Sequence, residues 1–250
     1  MQVTKYNASG NDFVIFHTFK EQDRSDLARI LCDRHKGIGA DGLIVLLPDA
    51  RHDFKWQFYN SDGSVASMCG NGTRACAHYA YNNQLADAKM SFMTGAGVIT
   101  SFVEGDIVET ELTKPIKLGE PFVQHGLTWY FYDTGVPHLV TFVDNVASFD
   151  KNIARLMRYA HNANVNYASL KDNAVHVRTY ERGVEDETLA CGTGMAAAFY
   201  SAYVQKLVGI NSKVYPTSKE ELQLRIEDGK LFFKGEVQKI FNTSLDVLIS

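Results

Sequence analysis

Apolar residues along this chain come in short runs, either alternating with polar ones or unbroken. Such runs are GLIVLL at 42–47, KWQFYN at 55–60, VITSFVE at 98–104, TWYFYDTG at 128–135, AVHVRTYE at 174–181, LQLRIED at 222–228 and LFFKGEV at 231–237. Their period of two and the turn residues between them predict strands. The opening MQVTKYNASGNDFVIF reads as a first strand, and the closing LDVLIS as a last one that could return to either half of the chain. Helical periodicity is confined to a few places. LARILCDRH at 27–35 follows Ser25 and IARLMRYAH at 153–161 follows Ser148, each serine standing as a candidate N-cap. Two further helices are expected directly after CGNG at 69–72 and CGTG at 191–194. Many strands and few helices make an α+β chain.

The same segments reveal a duplication. CGNGTRACAHYAY at 69–81 matches CGTGMAAAFYSAY at 191–203 in the cysteine, both glycines, two alanines and the final tyrosine, at an offset of 122. LARILCDRH matches IARLMRYAH at an offset of 126, and SGNDFVI at 9–15 weakly echoes TGVPHLV at 134–140 at 125. Two unrelated helices sharing small residues would explain one match, but not three in the same order at nearly equal spacing. The chain is read as two related domains, 1–114 and 115–250, with the boundary near Lys114-Pro115.

Composition narrows the class. At 250 residues, 45% hydrophobic and 22% charged, the chain has ordinary globular composition and suits two moderate domains. A net charge of −4 without a Lys/Arg stripe gives no footprint for nucleic acid. No apolar run approaches the roughly 18 residues of a membrane span, and the first residues lack a signal-peptide pattern. The four cysteines, Cys32, Cys69, Cys76 and Cys191, are too few to staple a secreted fold and show no paired zinc-knuckle spacing. A cytoplasmic protein with reduced thiols is expected, with no metal and no membrane or nucleic-acid partner.

Two of these thiols stand just before a predicted helix. The first four N–H groups of a helix lack internal acceptors, and the helix dipole adds partial positive charge there. Glycines leave that end open to a carboxylate, and the same field lowers a thiol pKa from about 8.5. Cys69 and Cys191 therefore each pair a potential base with an anion cradle. Cys32 and Cys76, lying among apolar helix positions, read as small buried hydrophobes. If the two halves face one another across a cleft, the thiols address one point from opposite sides. Chemistry that needs like groups on both faces of one carbon is stereoinversion: one thiolate removes an α-proton and the opposing thiol returns one. The helix termini would stabilise the developing charge without a cofactor.

Beyond this reading, the chain resembles the diaminopimelate epimerase family. KYNASGNDFV, RHKGIGADGL and FYNSDGSVASMCGNGTR resemble its first half, and TGVPHLV, NVNYA and YERGVEDETLACGTG its second. The double Cys-Gly-x-Gly alone also suits relatives of proline racemase. The resemblance implies two pseudo-symmetric domains, each a mixed or antiparallel sheet wrapped on a central helix. It implies cofactor-independent epimerisation of LL-2,6-diaminopimelate to the meso form, serving lysine and peptidoglycan precursor synthesis, by a homodimer. Carried over by residue, Cys69 and Cys191 become the acid/base pair, and Gly70, Asn71, Gly192 and Thr193 surround the α-carboxylate. Asn11, Asn60, Asn166, Glu181 and Arg182 would hold the rest of the substrate, with His138 supporting the site. The pair Glu181-Arg182 suits the ammonium and carboxylate at the far end of a two-headed amino acid.

Two positions depart from the family pattern. Val136 stands where an asparagine is usual, so a backbone group or water takes over its hydrogen bond or distal affinity falls. The segment from Arg182 to Cys191 is one residue longer, with Glu185-Asp186 where a glycine is common, and the extra residue is expected to bulge away. Other readings of the cysteine pair are a racemase for another amino acid, a thiol redox or metal-binding protein, and a non-catalytic amino-acid binding module.

Overall fold

The opening sixteen residues, expected as one strand, form two. In the computed structural model, which describes residues 1–245, β1 (Gln2–Ala8) and β2 (Asn11–His17) pair antiparallel. Ser9 and Gly10 between them take φ of 56° and 84°, the left-handed pair that a two-residue hairpin turn requires. The chain continues through α1 (Ser25–Cys32), β3 (Gly42–Leu47), β4 (Phe54–Asn60), α2 (Gly70–Asn82), β5 (Lys89–Thr94), β6 (Gly97–Glu104) and β7 (Ile107–Leu112). Residues Met1–Thr110 and the described residues from Gly235 on form one compact unit, and Glu111–Lys234 the other.

In the first unit α1 crosses over between β2 and β3, which run parallel, and α2 between the parallel β4 and β5. The pairs β3–β4, β5–β6 and β6–β7 are antiparallel. Both faces of β2 and β3 are covered, so their side chains sort by parity. Phe13, Ile15, Ile44 and Leu46 pack with Ala75, Cys76, Tyr79 and Ala80 of α2. Val14, Phe16, Leu43 and Val45 pack with Leu27, Ala28, Leu31 and Cys32 of α1. Every residue of α2 from Gly70 to Ala80 is buried, which makes it the central helix of its unit, whereas α1 buries only one stripe.

The second unit repeats this order. After β8 (Ile116–Lys117) and β9 (Phe122–Gln124) come β10 (Leu127–Asp133), β11 (Pro137–Phe142), α3 (Lys151–His161), β12 (Asn164–Lys171), β13 (Ala174–Glu181), β14 (Asp186–Thr188), α4 (Gly192–Val204), β15 (Asn211–Tyr215), β16 (Leu222–Glu227) and β17 (Lys230–Glu236). Helix α3 joins the parallel β11 and β12, and α4 joins the parallel β13 and β15. The pairs β10–β11, β12–β13, β15–β16 and β16–β17 are antiparallel, as in the first unit. Helix α4 buries Gly194–Phe199 without interruption and is the second central helix. Small residues let it sit among strands: its middle is Ala196-Ala197-Ala198.

The chain then re-enters the first unit as β18 (Gln238–Ser244), antiparallel to β1. Of the strand expected over 245–250, only Leu245 is described, and it exchanges backbone hydrogen bonds with Met1. The remaining five residues lie outside the described part.

Neither serine expected to cap a helix does so. Ser25 is the first residue of α1, and its N–H and hydroxyl both donate to Asp23. Ser148 closes a short 3-10 turn (Val146–Ser148), while α3 starts later with Asp150 as N-cap. Asp150 Oδ1 accepts from the N–H groups of Asn152 and Ile153, satisfying two orphan donors where the serine satisfies none. Asp150→Ala is expected to cost about 1 kcal/mol in urea unfolding. Ser148→Ala should stay within about 0.5 kcal/mol, and equal losses would refute the assignment.

Candidate active site

Each central helix begins at a cysteine. Cys69 is the N-cap of α2 in extended backbone (φ −153°, ψ 116°), with its Sγ accepting from the Gly72 N–H at 3.4 Å. Cys191 is the N-cap of α4 (φ −123°, ψ 107°), and its Sγ lies 3.6 Å from Thr193 Oγ1. A cysteine at this position puts its sulfur where a serine or aspartate cap would put oxygen, beside the positive end of the helix. The first-turn N–H groups of Gly70, Asn71, Gly192 and Thr193 have no acceptor within the helix. The other two cysteines differ. Burial pushes the Cys32 thiol up to about 12 and raises Cys76 well above its ordinary value, so both stay protonated at neutral pH.

In the first unit the β1–β2 turn lies against the start of α2. Asn71 Nδ2 donates to Asn11 Oδ1 at 2.6 Å, and the buried Arg74 donates through Nη2 to Asn71 Oδ1 and Ser9 Oγ. Arg74 Nη1 also donates to the Glu236 carbonyl at 3.1 Å. Asn11 is held in turn by Asp41, which accepts from its amide and from the Asp12 N–H. Arg34 bridges Asp12 and Asp41, and Lys5 pairs with Asp12 at 2.7 Å. Together they hold the Asp12 carboxyl down at about 2 despite its partial burial. Asn60 ends β4, and its amide donates to Ser64 Oγ at 2.9 Å, which engages the side chain within its own turn.

The second unit builds its helix start differently. The Leu139 carbonyl accepts from Asn166 Nδ2 at 2.8 Å, which fixes that amide's orientation. The same nitrogen lies 3.1 Å from His138 Nδ1, and Asn164 Nδ2 lies 3.3 Å from His138 Nε2, so a side-chain amide faces each nitrogen of the ring. His138 Nε2 also lies 2.9 Å from Thr193 Oγ1, the same hydroxyl that contacts the Cys191 sulfur. Thr134 Oγ1 donates to the Thr193 carbonyl at 2.8 Å. Complete burial drives His138 down to about 3, so the ring is neutral at physiological pH.

Strand register aligns Phe13 with Gly42 in the first unit and His138 with Asn164 in the second. Two positions on, Ile44 therefore corresponds to Asn166. Each stands behind the second glycine of its motif. A Cβ on Gly72 would meet Ile44 Cδ1 at 3.4 Å and Cys69 Cβ at 3.3 Å, whereas one on Gly194 would meet Asn166 Oδ1 at 2.4 Å.

Arg182 follows β13, its N–H donating to Asn164 Oδ1 at 2.7 Å and its Nη1 to the Asn162 carbonyl at 3.0 Å. Its Nε and Nη2 make no hydrogen bond, and the guanidinium faces no carboxylate, among the described residues. This leaves a fork for an external anion. Glu181 ends β13 as Asn60 ends β4. At the position of the usual asparagine, Val136 brings only a hydrocarbon side chain, and its carbonyl accepts from the Thr134 N–H. Val184 in the lengthened segment is exposed, and Glu185 turns toward α3.

Asn164 and Arg74 were not singled out from the sequence. Asn164 shares a strand face with Asn166 two residues on, a period-two pair of amides in a buried strand. Arg74 is the lone full charge in the small-residue run after Cys69. Either signal was open to reading. No group of three or more His, Cys, Asp or Glu side chains that could hold a metal ion occurs among the described residues. No helix there is long and apolar enough to cross a membrane.

A duplicated unit whose central helix starts at Cys-Gly-x-Gly places the chain in a class of pseudo-symmetric isomerase-like folds. A phenazine-biosynthesis protein of the PhzF family from Enterococcus faecalis matches with a TM-score of 0.76 at 13% identity, covering 96% of this chain and 97% of that one. A hydroxyproline epimerase from Agrobacterium vitis matches with a TM-score of 0.70 at 13% identity, covering 97% and 91%. At such identities the likeness is one of fold. The model of the family Diaminopimelate epimerase matches residues 3–117 and 130–240. A diaminopimelate epimerase of a Nitratiruptor species is 61% identical over 244 residues, covering 97% of this chain and 98% of that protein. Another, of Campylobacter lari, is 52% identical over 242 residues, covering 96% and 97%. The chain belongs to the diaminopimelate epimerase family.

Two outcomes follow from the geometry. Gly194→Ala drives a methyl into a buried, hydrogen-bonded amide and should cost about 1–3 kcal/mol. Gly72→Ala meets Cys69 Cβ, Ile44 Cδ1 and Cys69 Sγ, none closer than 3.3 Å, and should cost less, as paired urea titrations would show. His138 should titrate near pH 3 by NMR of its ring protons. Because the unfolded ring takes up its proton near pH 6.5, His138 withdraws stability as pH falls from about 6.5 toward 3. Replacing it with glutamine should flatten that part of the stability profile.

Proposed function

We propose that this protein interconverts LL- and meso-2,6-diaminopimelate by exchanging the α-proton between Cys69 and Cys191, each half of the chain supplying one thiol. The observation that carries the reading is the repeated N-cap cysteine on a buried central helix, in a chain of this family. One cysteine, as thiolate, removes the α-proton; the other, as thiol, returns a proton on the opposite face, and the pair is left with its protonation exchanged. The reverse reaction runs with the roles reversed, and the two thiols need no cofactor to balance the protons.

The α-proton is far less acidic than a thiol, so the carbanion must be stabilised as it forms. The amides of Gly70 and Asn71 and those of Gly192 and Thr193 would receive the α-carboxylate and its growing charge, with the buried Arg74 guanidinium adding positive field. The Gly72 N–H would favour the thiolate of Cys69, and the Thr193 hydroxyl, which lies between His138 and the sulfur, that of Cys191. At the far end Arg182 offers its remaining donors to the second carboxylate, and Glu181 its carboxylate to the second ammonium. Asn11, Asn60 and Asn166 would complete the site, Asn11 and Asn166 acting chiefly by holding Asn71 and His138 in place. A single-headed amino acid would bring no second carboxylate to the Arg182 fork, the penalty that gives selectivity. From the family likeness we also infer a cytoplasmic homodimer.

Proton NMR of LL-diaminopimelate with the reduced protein in deuterated water should show deuterium entering the α-position as meso product appears. Cys69→Ala and Cys191→Ala should each lower epimerisation by at least about 1,000-fold. Retained epimerisation in either variant would remove that thiol from the scheme. Exchange with proline but not diaminopimelate would instead favour a racemase of another amino acid.

A further inference from the structure

The loop that carries Arg182 contains a residue in a conformation that side chains rarely adopt. Glu185 has φ of 59°, a left-handed geometry that glycine takes readily and that other residues hold only where their surroundings impose it. Every backbone polar group of Glu185 is engaged. Its N–H donates to the Glu181 carbonyl at 2.8 Å, and its own carbonyl accepts from the Tyr180 hydroxyl at 2.6 Å. Its Oε1 accepts the Gly183 N–H at 3.0 Å, and also Arg158 Nε and Nη2 at 2.8 and 2.6 Å.

Arg158 lies in the last turn of α3, its side chain only 14% exposed. Its guanidinium stacks over the Tyr159 ring at 4.6 Å, and Nη1 reaches Asn162 Oδ1 at 3.4 Å. Asn162 is the left-handed C-cap of α3, and its carbonyl accepts from Arg182 Nη1. The end of α3 thus holds the loop at two points, through Glu185 on one side and Arg182 itself on the other. A partly buried pair with three charge-assisted donors on one carboxylate oxygen is stiffer than an exposed surface pair.

We propose that Arg158 and Glu185 are positioning residues that fix the Glu181-Arg182 tip for the distal end of a two-headed amino acid; this rests on the function proposed above. Glu185 gives up local backbone ease so that its carboxylate can tie the tip to α3. The cost of placing the Arg182 fork is then met in the folded protein and not when substrate binds.

Glu185→Gly separates the two contributions, because glycine keeps the left-handed turn and loses only the tie. In Arg158→Ala, Glu185→Gly and the double variant, KM for LL-diaminopimelate should rise about ten-fold while kcat stays within about two-fold. The double variant should match the singles, since each removes the same link. Hydrogen exchange across residues 181–187 should accelerate alike in all three, with the melting temperature of Glu185→Gly close to that of the parent. An unchanged KM in Glu185→Gly, or effects that multiply in the double variant, would overturn the proposal. Should the parent not turn over diaminopimelate, the function proposed above falls, and exchange at 181–187 alone then decides whether the tie exists.

Discussion

A helix buried on all sides satisfies its backbone internally except at its ends, where the first N–H groups have no acceptor within the helix. In this protein that unmet need falls at two N-cap cysteines. Helices α2 and α4 are sheathed by strands of their own units, and each starts at a cysteine followed by Gly-x-Gly. The glycines are spacing devices. At Gly194 the strand behind leaves room for a hydrogen but not a methyl, since a Cβ would stand 2.4 Å from Asn166 Oδ1. Such close approach keeps the helix start rigid, and rigidity is what lets amides act on a developing charge without reorganising.

The two units keep one topology and differ in how they brace that helix start. In the first, hydrocarbon from Ile44 lies behind Gly72, and Asn71 is steadied by Asn11 and the buried Arg74. Asn11 depends in turn on the paired Asp12, Asp41, Arg34 and Lys5. In the second, Asn166 replaces hydrocarbon with an amide held by several hydrogen bonds, and its contacts run on through His138 to Thr193. The sulfur of Cys69 meets a backbone donor and that of Cys191 a hydroxyl. The two N-cap thiols therefore have different surroundings, although the folds around them are copies. The charge of Arg182 and the neutrality of His138 also belong together, because a buried imidazolium beside that guanidinium would be doubly disfavoured.

Much of this was written in the order of residues. Alternation and apolar runs predicted the strands, the three offsets near half the chain length predicted the duplication, and Cys-Gly-x-Gly predicted where the central helices begin. These features are local or periodic, so a linear reading reaches them. Turns and caps were less legible. Ser9-Gly10 divides what looked like one strand, because a two-residue turn needs only two left-handed residues. Asp150 caps α3 in place of Ser148 because a 3-10 turn intervenes, and the two starts look alike when only residue types are seen. The family motifs led to Asn166, yet Asn164, two residues away, holds the Arg182 backbone and went unremarked.

The sequence by itself determined the fold class, the repeat, and the chemical types available at each helix start, since these follow from periodicity and from which side chains can accept or donate a proton. Tertiary structure alone decided what each group does there. The Asn166 amide has a fixed orientation because the sheet brings the Leu139 carbonyl beside it. Asp12 stays ionised because Lys5 and Arg34 are brought beside it. Glu185, in the turn between β13 and β14, meets Arg158, 27 positions earlier, because the last turn of α3 is folded against it. Hydrogen-bond direction, ionisation and ion pairing depend on neighbours remote in the chain, and only folding supplies those neighbours.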